Sequence, residues 1–187
     1  VEKIKDMDAV IVGKVNMDCN APDALLETCE QSIKGTRDLI EKYKDESLVK
    51  PIITPRFAPT CSADLMKELG QLAQEYGLPV QSHLNESLEE IEWVEKLFPQ
   101  ATSYSHLYDE YDLFGTTQTV MAHCVHMRPD ELELVERKGV YMVHCPDSNI
   151  NVRSGIMPVR KFLDQGLRVG LASDIAGSHK IAMNEAM

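Results

Sequence analysis

The chain has 187 residues, 43% of them hydrophobic and 26% charged, which is enough to bury the core of one ordinary domain and excludes a disordered or collagen-like chain. Thirty Asp and Glu against 19 Lys and Arg give a formal net charge of -11, a field that repels nucleic-acid backbones and anionic lipid surfaces. No apolar run approaches the roughly 20 residues that span a bilayer, residues 1–15 lack the pattern of a signal peptide, and five cysteines without a C-x-x-C pair suit reduced thiols, so a cytoplasmic protein is expected.

Six segments rich in β-branched residues read as strands: Ala9–Val15, Val49–Thr54, Val80–His83, Thr119–His123, Val140–His144 and Arg168–Ala172. Amphipathic helices fill the gaps. Leu65, Leu69, Leu72, Ala73 and Tyr76 keep an i, i+4, i+7 rhythm, and Ile91, Val94, Leu97 and Phe98 do the same. Ser87 and Glu90 form a candidate capping box, and Pro129 followed by Asp130 and Glu131 gives another helix a proline-led, acidic first turn. Strands alternating with helices at intervals of about 20 to 40 residues are parallel βα units of an α/β fold. No linker, repeat or low-complexity tract interrupts them, so residues 1–187 read as a single domain.

In such folds the carboxyl ends of the strands build the site. His83, His123 and His144 end the third, fourth and fifth strands, Asp174 lies just beyond the sixth, and Arg56 follows the second. Taken singly each has an ordinary explanation: a hydrogen-bonded structural histidine, a surface arginine, or for Glu86 a carboxylate near a positive helix start. The coincidence at consecutive strand ends is what argues for function. Alternation predicts that Gln81 shares a face with His83, and Met121 with His123, so that both histidines enter one mouth. Imidazole and carboxylate suit Zn²⁺, and a hydrolase is the natural hypothesis. His106, His126 and His179 are expected at the surface or behind the site, and Cys124 and Cys145 as small buried residues.

The motifs VGKVNMD, KPIITPRFAPTCS, VQSHLNES, TVMAHC, VHCPDSNINVRSG and VGLASDIAG, in this order, resemble the guanine deaminases of the amidohydrolase superfamily. SHxxE, AH, HCPxSN and SD carry the superfamily likeness, and the Arg-Phe pair of PRFAPTCS the narrower one. The resemblance implies a metal-dependent hydrolase acting in purine catabolism, with guanine as substrate and one zinc ion held in part by His83 and Asp174. It further implies Glu86 as proton shuttle, His123 and Asp174 as catalytic partners at the attacking water, and Arg56 and Phe57 as substrate residues, Arg56 on the guanine carbonyl and Phe57 on the ring. His144, Ser148 and Asn149 would shape the loop behind the site. Alternatives are an amidohydrolase acting on another amino- or chloro-substituted heterocycle, and a non-catalytic purine-binding derivative of the fold.

The family's zinc also uses an H-x-H pair, and the sequence contains none. The six strands match the third to eighth of a (β/α)8 barrel, which takes about 250 residues. The expected fold is therefore a partial TIM barrel, with Val1 and a helix cut at Met187 as the boundaries of a piece with little activity of its own. Two unpaired sheet edges, at Ala9–Val15 and Arg168–Ala172, predict self-association into a homo-oligomer.

Overall fold

The computed structural model describes residues 10–179; Ala9, where the first strand is expected to start, and the helix expected at Met187 lie outside them. The elements are β1 (Val10–Val12), β2 (Val15–Asn16), α1 (Cys29–Tyr43), β3 (Val49–Pro51), β4 (Thr54–Pro55), α2 (Ala63–Tyr76), β5 (Val80–Leu84), α3 (Leu88–Leu97), α4 (Tyr104–Glu110), β6 (Thr119–His123), α5 (Pro129–Lys138), β7 (Tyr141–His144), α6 (Pro146–Asn151), α7 (Val159–Asp164) and β8 (Arg168–Leu171). Every ladder is parallel: β1 with β3, β2 with β4, and β5–β6–β7–β8 in one sheet. Ile53 bridges to Val80, its N–H donating to Pro79 O and its carbonyl accepting from Gln81 N, both at 2.9 Å, which joins the pieces into one arc. This is a partial TIM barrel, as expected.

The first two expected strands are each split into two short pieces. At Gly13 a Cβ would lie 1.9 Å from Thr54 Oγ1 and 2.7 Å from Ile52 O, so the backbones touch there and only glycine fits. Pro51 and Pro55, at the ends of β3 and β4, have no N–H for a ladder.

Local chemistry fixes the helix ends. Thr28 and Gln31 close a full capping box on α1, and Ser62 Oγ caps α2, which ends on Gly77 at φ 61°. The expected box on α3 is only half formed: Ser87 Oγ accepts from Glu90 N, but the Glu90 side chain is buried instead of returning to the cap.

The helix-side face of the sheet is the core. Val80, Leu84, Met121 and Met142 have no exposed surface and pack with Leu65, Leu69, Val94 and Leu134; each side chain buried this way contributes about 1.5–3 kcal/mol. The opposite, inner face is only half covered: Gln81, His83, Val120, Ala122, Tyr141 and Val143 are intermediate, and Ile11 and Val15 are exposed. Among the described residues no strand covers the outer edge of β8, and no helix is long and apolar enough to cross a membrane.

Candidate active site

His83 reaches the inner face by ordinary pleating, one position before the end of β5. Its Nδ1 lies 2.5 Å from the carbonyl oxygen of Arg56, so Nδ1 carries the proton and the Nε2 lone pair is left for the cleft.

His123 arrives by another route, and the alternation argument fails for it. The register pairs His83 with Ala122 and His123 with Leu84, so pleating alone would turn His123 toward the helices along with Met121, which is a core residue. Instead the backbone turns left-handed, φ 73° at His123 and 47° at Cys124, rotating the imidazole back over the strand end. Cys124 N closes this turn on Leu84 O at 2.8 Å. The two imidazoles stack with centroids 5.1 Å apart and 23° between planes. Asn149 Nδ2 donates to His123 Nδ1 at 3.2 Å, which makes Nδ1 the acceptor and leaves Nε2 with the hydrogen. That nitrogen lies 3.5 Å from Glu86 Oε2. Burial, the largest influence, lowers the His123 pKa, His83 lowers it further, and Glu86 and Asp174 oppose them; the ring is a neutral donor near pH 7.

Glu86 is steadied from α6's side, where Ser154 Oγ donates to its Oε1 at 3.2 Å, while the Ser154 carbonyl accepts from His126 Nε2 at 2.7 Å. Ser148 Oγ donates to Asp174 Oδ2. Asp174 itself is left-handed at φ 51°, and a Cβ on Gly177 would sit 2.6 Å from both Asp174 Oδ2 and Ser148 Oγ, so a side chain there would break the contact. Across the mouth, Arg56 Cζ lies 4.8 Å from the centroid of the Phe57 ring, which meets His83 and Trp93 edge-on at 6.3 and 5.9 Å.

Arg56, Phe57, His83, Glu86, His123 and Asp174 thus line one cleft of about 110 Å³. Asn149 supports it from behind through His123. His144 does not join it: the register sets it with Leu171, and its Nδ1 is buried without a hydrogen-bond partner among the described residues, burial lowering its pKa. Cys124 and Cys145 are buried free thiols; burial pushes Cys145 up to about 11 and Cys124 well above the usual thiol range, which leaves both un-ionised and unreactive at neutral pH. Among the described residues no three His, Cys, Asp or Glu side chains converge closely enough to enclose a metal ion by themselves; His83 and Asp174 open on the cleft as a pair.

Three supports escape a reading of the sequence. Ser154 lies inside VHCPDSNINVRSG, but nothing in that motif singles it out from its neighbours. Glu131 is buried, where its position in the first turn of α5 suggested only a solvated partner for the helix dipole. Tyr104, Leu107, Tyr108 and Tyr111 do keep the i, i+3, i+4, i+7 rhythm of a buried helix, but a stretch so rich in tyrosine and aspartate reads as polar; α4 in fact buries Tyr104, Leu107 and Tyr108.

The Amidohydrolase family model matches residues 4–187. The chain is 44% identical over 170 residues to the guanine deaminase of Dictyostelium discoideum, covering 90% of this chain and 38% of that protein. The structure of the guanine deaminase from C. acetobutylicum with bound guanine superposes with a TM-score of 0.93 at 51% identity, over 96% of this chain and 43% of that one. An adenosine deaminase from Xanthomonas campestris with bound zinc superposes with a TM-score of 0.81 at 23% identity, over 91% of this chain and 38% of that one, and speaks for the fold alone. The chain therefore spans about two fifths of the length of the relatives it matches. With the family model running through nearly every residue, the chain belongs to the amidohydrolase family.

Proposed function

We propose that this chain carries the substrate-binding and proton-transfer part of a guanine deaminase, which converts guanine and water to xanthine and ammonia. The observation that carries the reading is the convergence of Arg56, Phe57, His83, Glu86, His123 and Asp174 on one cleft. The donor set fits zinc as far as it goes: a histidine with a free Nε2 and a carboxylate, facing the same space, are ligand types of that ion. Bound between His83 and Asp174, zinc would supply the Lewis acidity that makes water nucleophilic at neutral pH. Among the described residues no third ligand joins them, so the isolated chain is expected to hold zinc weakly and turn over little.

The chain's own residues cover the other roles. Arg56 donates to the guanine carbonyl oxygen and Phe57 packs on the purine ring, so the amino-bearing carbon faces His123 and Glu86. Water adds to that carbon. Glu86, held by Ser154, takes the proton that water loses and returns it to the ring, and Asp174 shares in proton transfer. His123, neutral and with its hydrogen on Nε2, donates to the oxygen on which negative charge develops. The added hydroxyl then gives up its proton to the amino group, the C–N bond breaks as the new carbonyl forms, and ammonia leaves. Five cysteines without disulfides accord with the cytoplasm. The half-covered inner face and, among the described residues, the open edge of β8 favour a homo-oligomer, which sedimentation at several concentrations would test.

Zinc content and ammonia release from guanine, measured side by side on this chain and on a longer one that completes the barrel, test the reading. Turnover and one equivalent of zinc are expected only in the longer chain. A longer chain that deaminates another aminopurine or a chlorotriazine in preference would overturn the substrate, and an enzyme-like rate in the 187-residue chain would overturn its dependence on the longer one.

A further inference from the structure

Tyr108 lies in α4, away from the strand ends, and its side chain is fully buried. Its hydroxyl meets the two segments that build the mouth of the cleft. Ala58 N donates to it at 2.9 Å, and it stands 2.8 Å from Ser82 Oγ, with the His83 carbonyl 3.1 Å away as a second acceptor. Ser82 Oγ in turn donates to Pro55 O at 2.8 Å. Counting one hydrogen per hydroxyl, these contacts allow two arrangements: Ser82 donating to Tyr108 and Tyr108 to the His83 carbonyl, or a directed chain from Ala58 N–H to Tyr108 O–H to Ser82 O–H to the Pro55 carbonyl. The directed chain starts on one side of Arg56 and Phe57 and ends on the other. The His83 Nδ1–H bond to Arg56 O fastens the middle of the same segment to β5. The tyrosine ring is itself fixed by stacking on Tyr104, with centroids 5.3 Å apart and 17° between planes.

Hydrogen bonds in series polarise one another, and a buried N–H left without an acceptor is costly, so the Pro55–Ala58 segment has one favoured shape while the Tyr108 hydroxyl is in place. A phenylalanine would fill the same volume and strand Ala58 N.

We propose that Tyr108 is a positioning residue for substrate: through Ser82 and Ala58 it holds Arg56 and Phe57 in the conformation that grips the purine, against His83. The inference rests on the reading of Arg56 and Phe57 as the purine-holding pair. Proton transfer does not run through Tyr108, so its loss weakens the hold on guanine more than it slows the chemistry.

The test is Tyr108→Phe in the complete protein. The KM for guanine should rise about tenfold, the factor that one lost hydrogen bond to a buried donor corresponds to, with kcat within about threefold of the unsubstituted protein. A merely structural role would lower the folded fraction, and so the apparent kcat, with KM unchanged; that result overturns the proposal. Ser82→Ala breaks the same chain one link on. It should raise KM in the same direction, and the double variant should be no worse than Tyr108→Phe alone, because both cut one chain. Effects on KM that multiply would overturn it. If Tyr108→Phe gives no folded protein, Ser82→Ala decides by the same criterion. An unsubstituted protein that fails to deaminate guanine overturns the guanine reading and this inference together, whereas normal turnover with KM unchanged in both variants overturns this inference alone.

Discussion

The units β5–α3 and β6–α5 are built to one plan and finished differently. In each a strand delivers a histidine to the cleft, and the third residue of the following helix is a buried glutamate, Glu90 in α3 and Glu131 in α5. Glu131 is fully engaged. Its Oε1 accepts from Ser105 N and Ser105 Oγ, both at 3.0 Å, and its Oε2 from Asn85 Nδ2 at 2.7 Å and Arg128 N at 3.1 Å. Asn85 sits between His83 and Glu86, and its carbonyl accepts from Val125 N and His126 N just past His123, so Glu131 ties the two strand ends together. Glu90 is held less completely. Its Oε1 finds no hydrogen-bond partner among the described residues, and burial, with Glu86 nearby, outweighs the Tyr104 hydroxyl and the Glu86 and Ser87 backbone N–H groups and pushes its carboxyl up to about 7. Equivalent positions thus hold an ionisable group with four donors and one with an unmatched oxygen, and the cost of burial falls on the second.

The largest expected effect lies at the β5 end. Glu86→Gln keeps the Ser154 contact and removes the base, so kcat for guanine in the complete protein should fall about a thousandfold with KM little changed. A loss under tenfold would move proton transfer to another residue, Asp174 first. Next comes the shared tie. Glu131→Ala strands buried donors on Asn85, Ser105 and Arg128 and should destabilise the fold by about 3 kcal/mol, seen as a drop in the urea midpoint. If Glu90→Ala costs as much or more, the contrast between the two glutamates is wrong.

That contrast also has a pH signature. The unfolded chain releases the Glu90 proton near 4.5, whereas the folded one holds it to about 7. Between those values the folded state binds more protons, so the stability contributed by the neutral buried acid is full below about pH 4.5 and is lost as pH rises through 7. Glu90→Gln keeps the neutral form throughout. Unfolding at pH 5 and pH 8 should show the variant gaining about 2 kcal/mol on the unsubstituted protein over that interval, and parallel curves would sink the assignment.

Much of this was legible in the sequence, and the exceptions have a common cause. Strand positions, α2 and α3 follow from periodicities that burial imposes directly, and His83 lies where pleating puts it. His123 was placed at the right strand end for a wrong reason: a left-handed turn, not alternation, brings it to the cleft, and no sequence period encodes a φ angle. The splits in the first two strands come from a backbone contact at Gly13, which depends on a partner about forty residues away. Glu131, Ser154 and Tyr108 act through hydrogen bonds to distant segments. Their residue types are ordinary, and only the fold says what they touch.

The smallest effect is also the most specific to the β6 end. Asn149 Nδ2 keeps His123 Nδ1 as an acceptor, and that alone leaves the hydrogen on the nitrogen facing Glu86. Asn149→Ala frees the ring to exchange tautomers and should lower kcat about tenfold, the worth of one hydrogen bond, with KM for guanine nearly unchanged. Asn149→Asp reverses the polarity. A carboxylate accepts from Nδ1–H, so Nε2 keeps a hydrogen only when the ring is protonated, and the kcat of that variant should rise as pH falls while the ring charges. Because β5 presents His83 through a backbone carbonyl, no side-chain substitution there can invert its tautomer in this way. A kcat for Asn149→Asp that ignores pH between 5 and 8 would show that His123 does not work as the donor, and would leave the left-handed turn after β6 as packing alone.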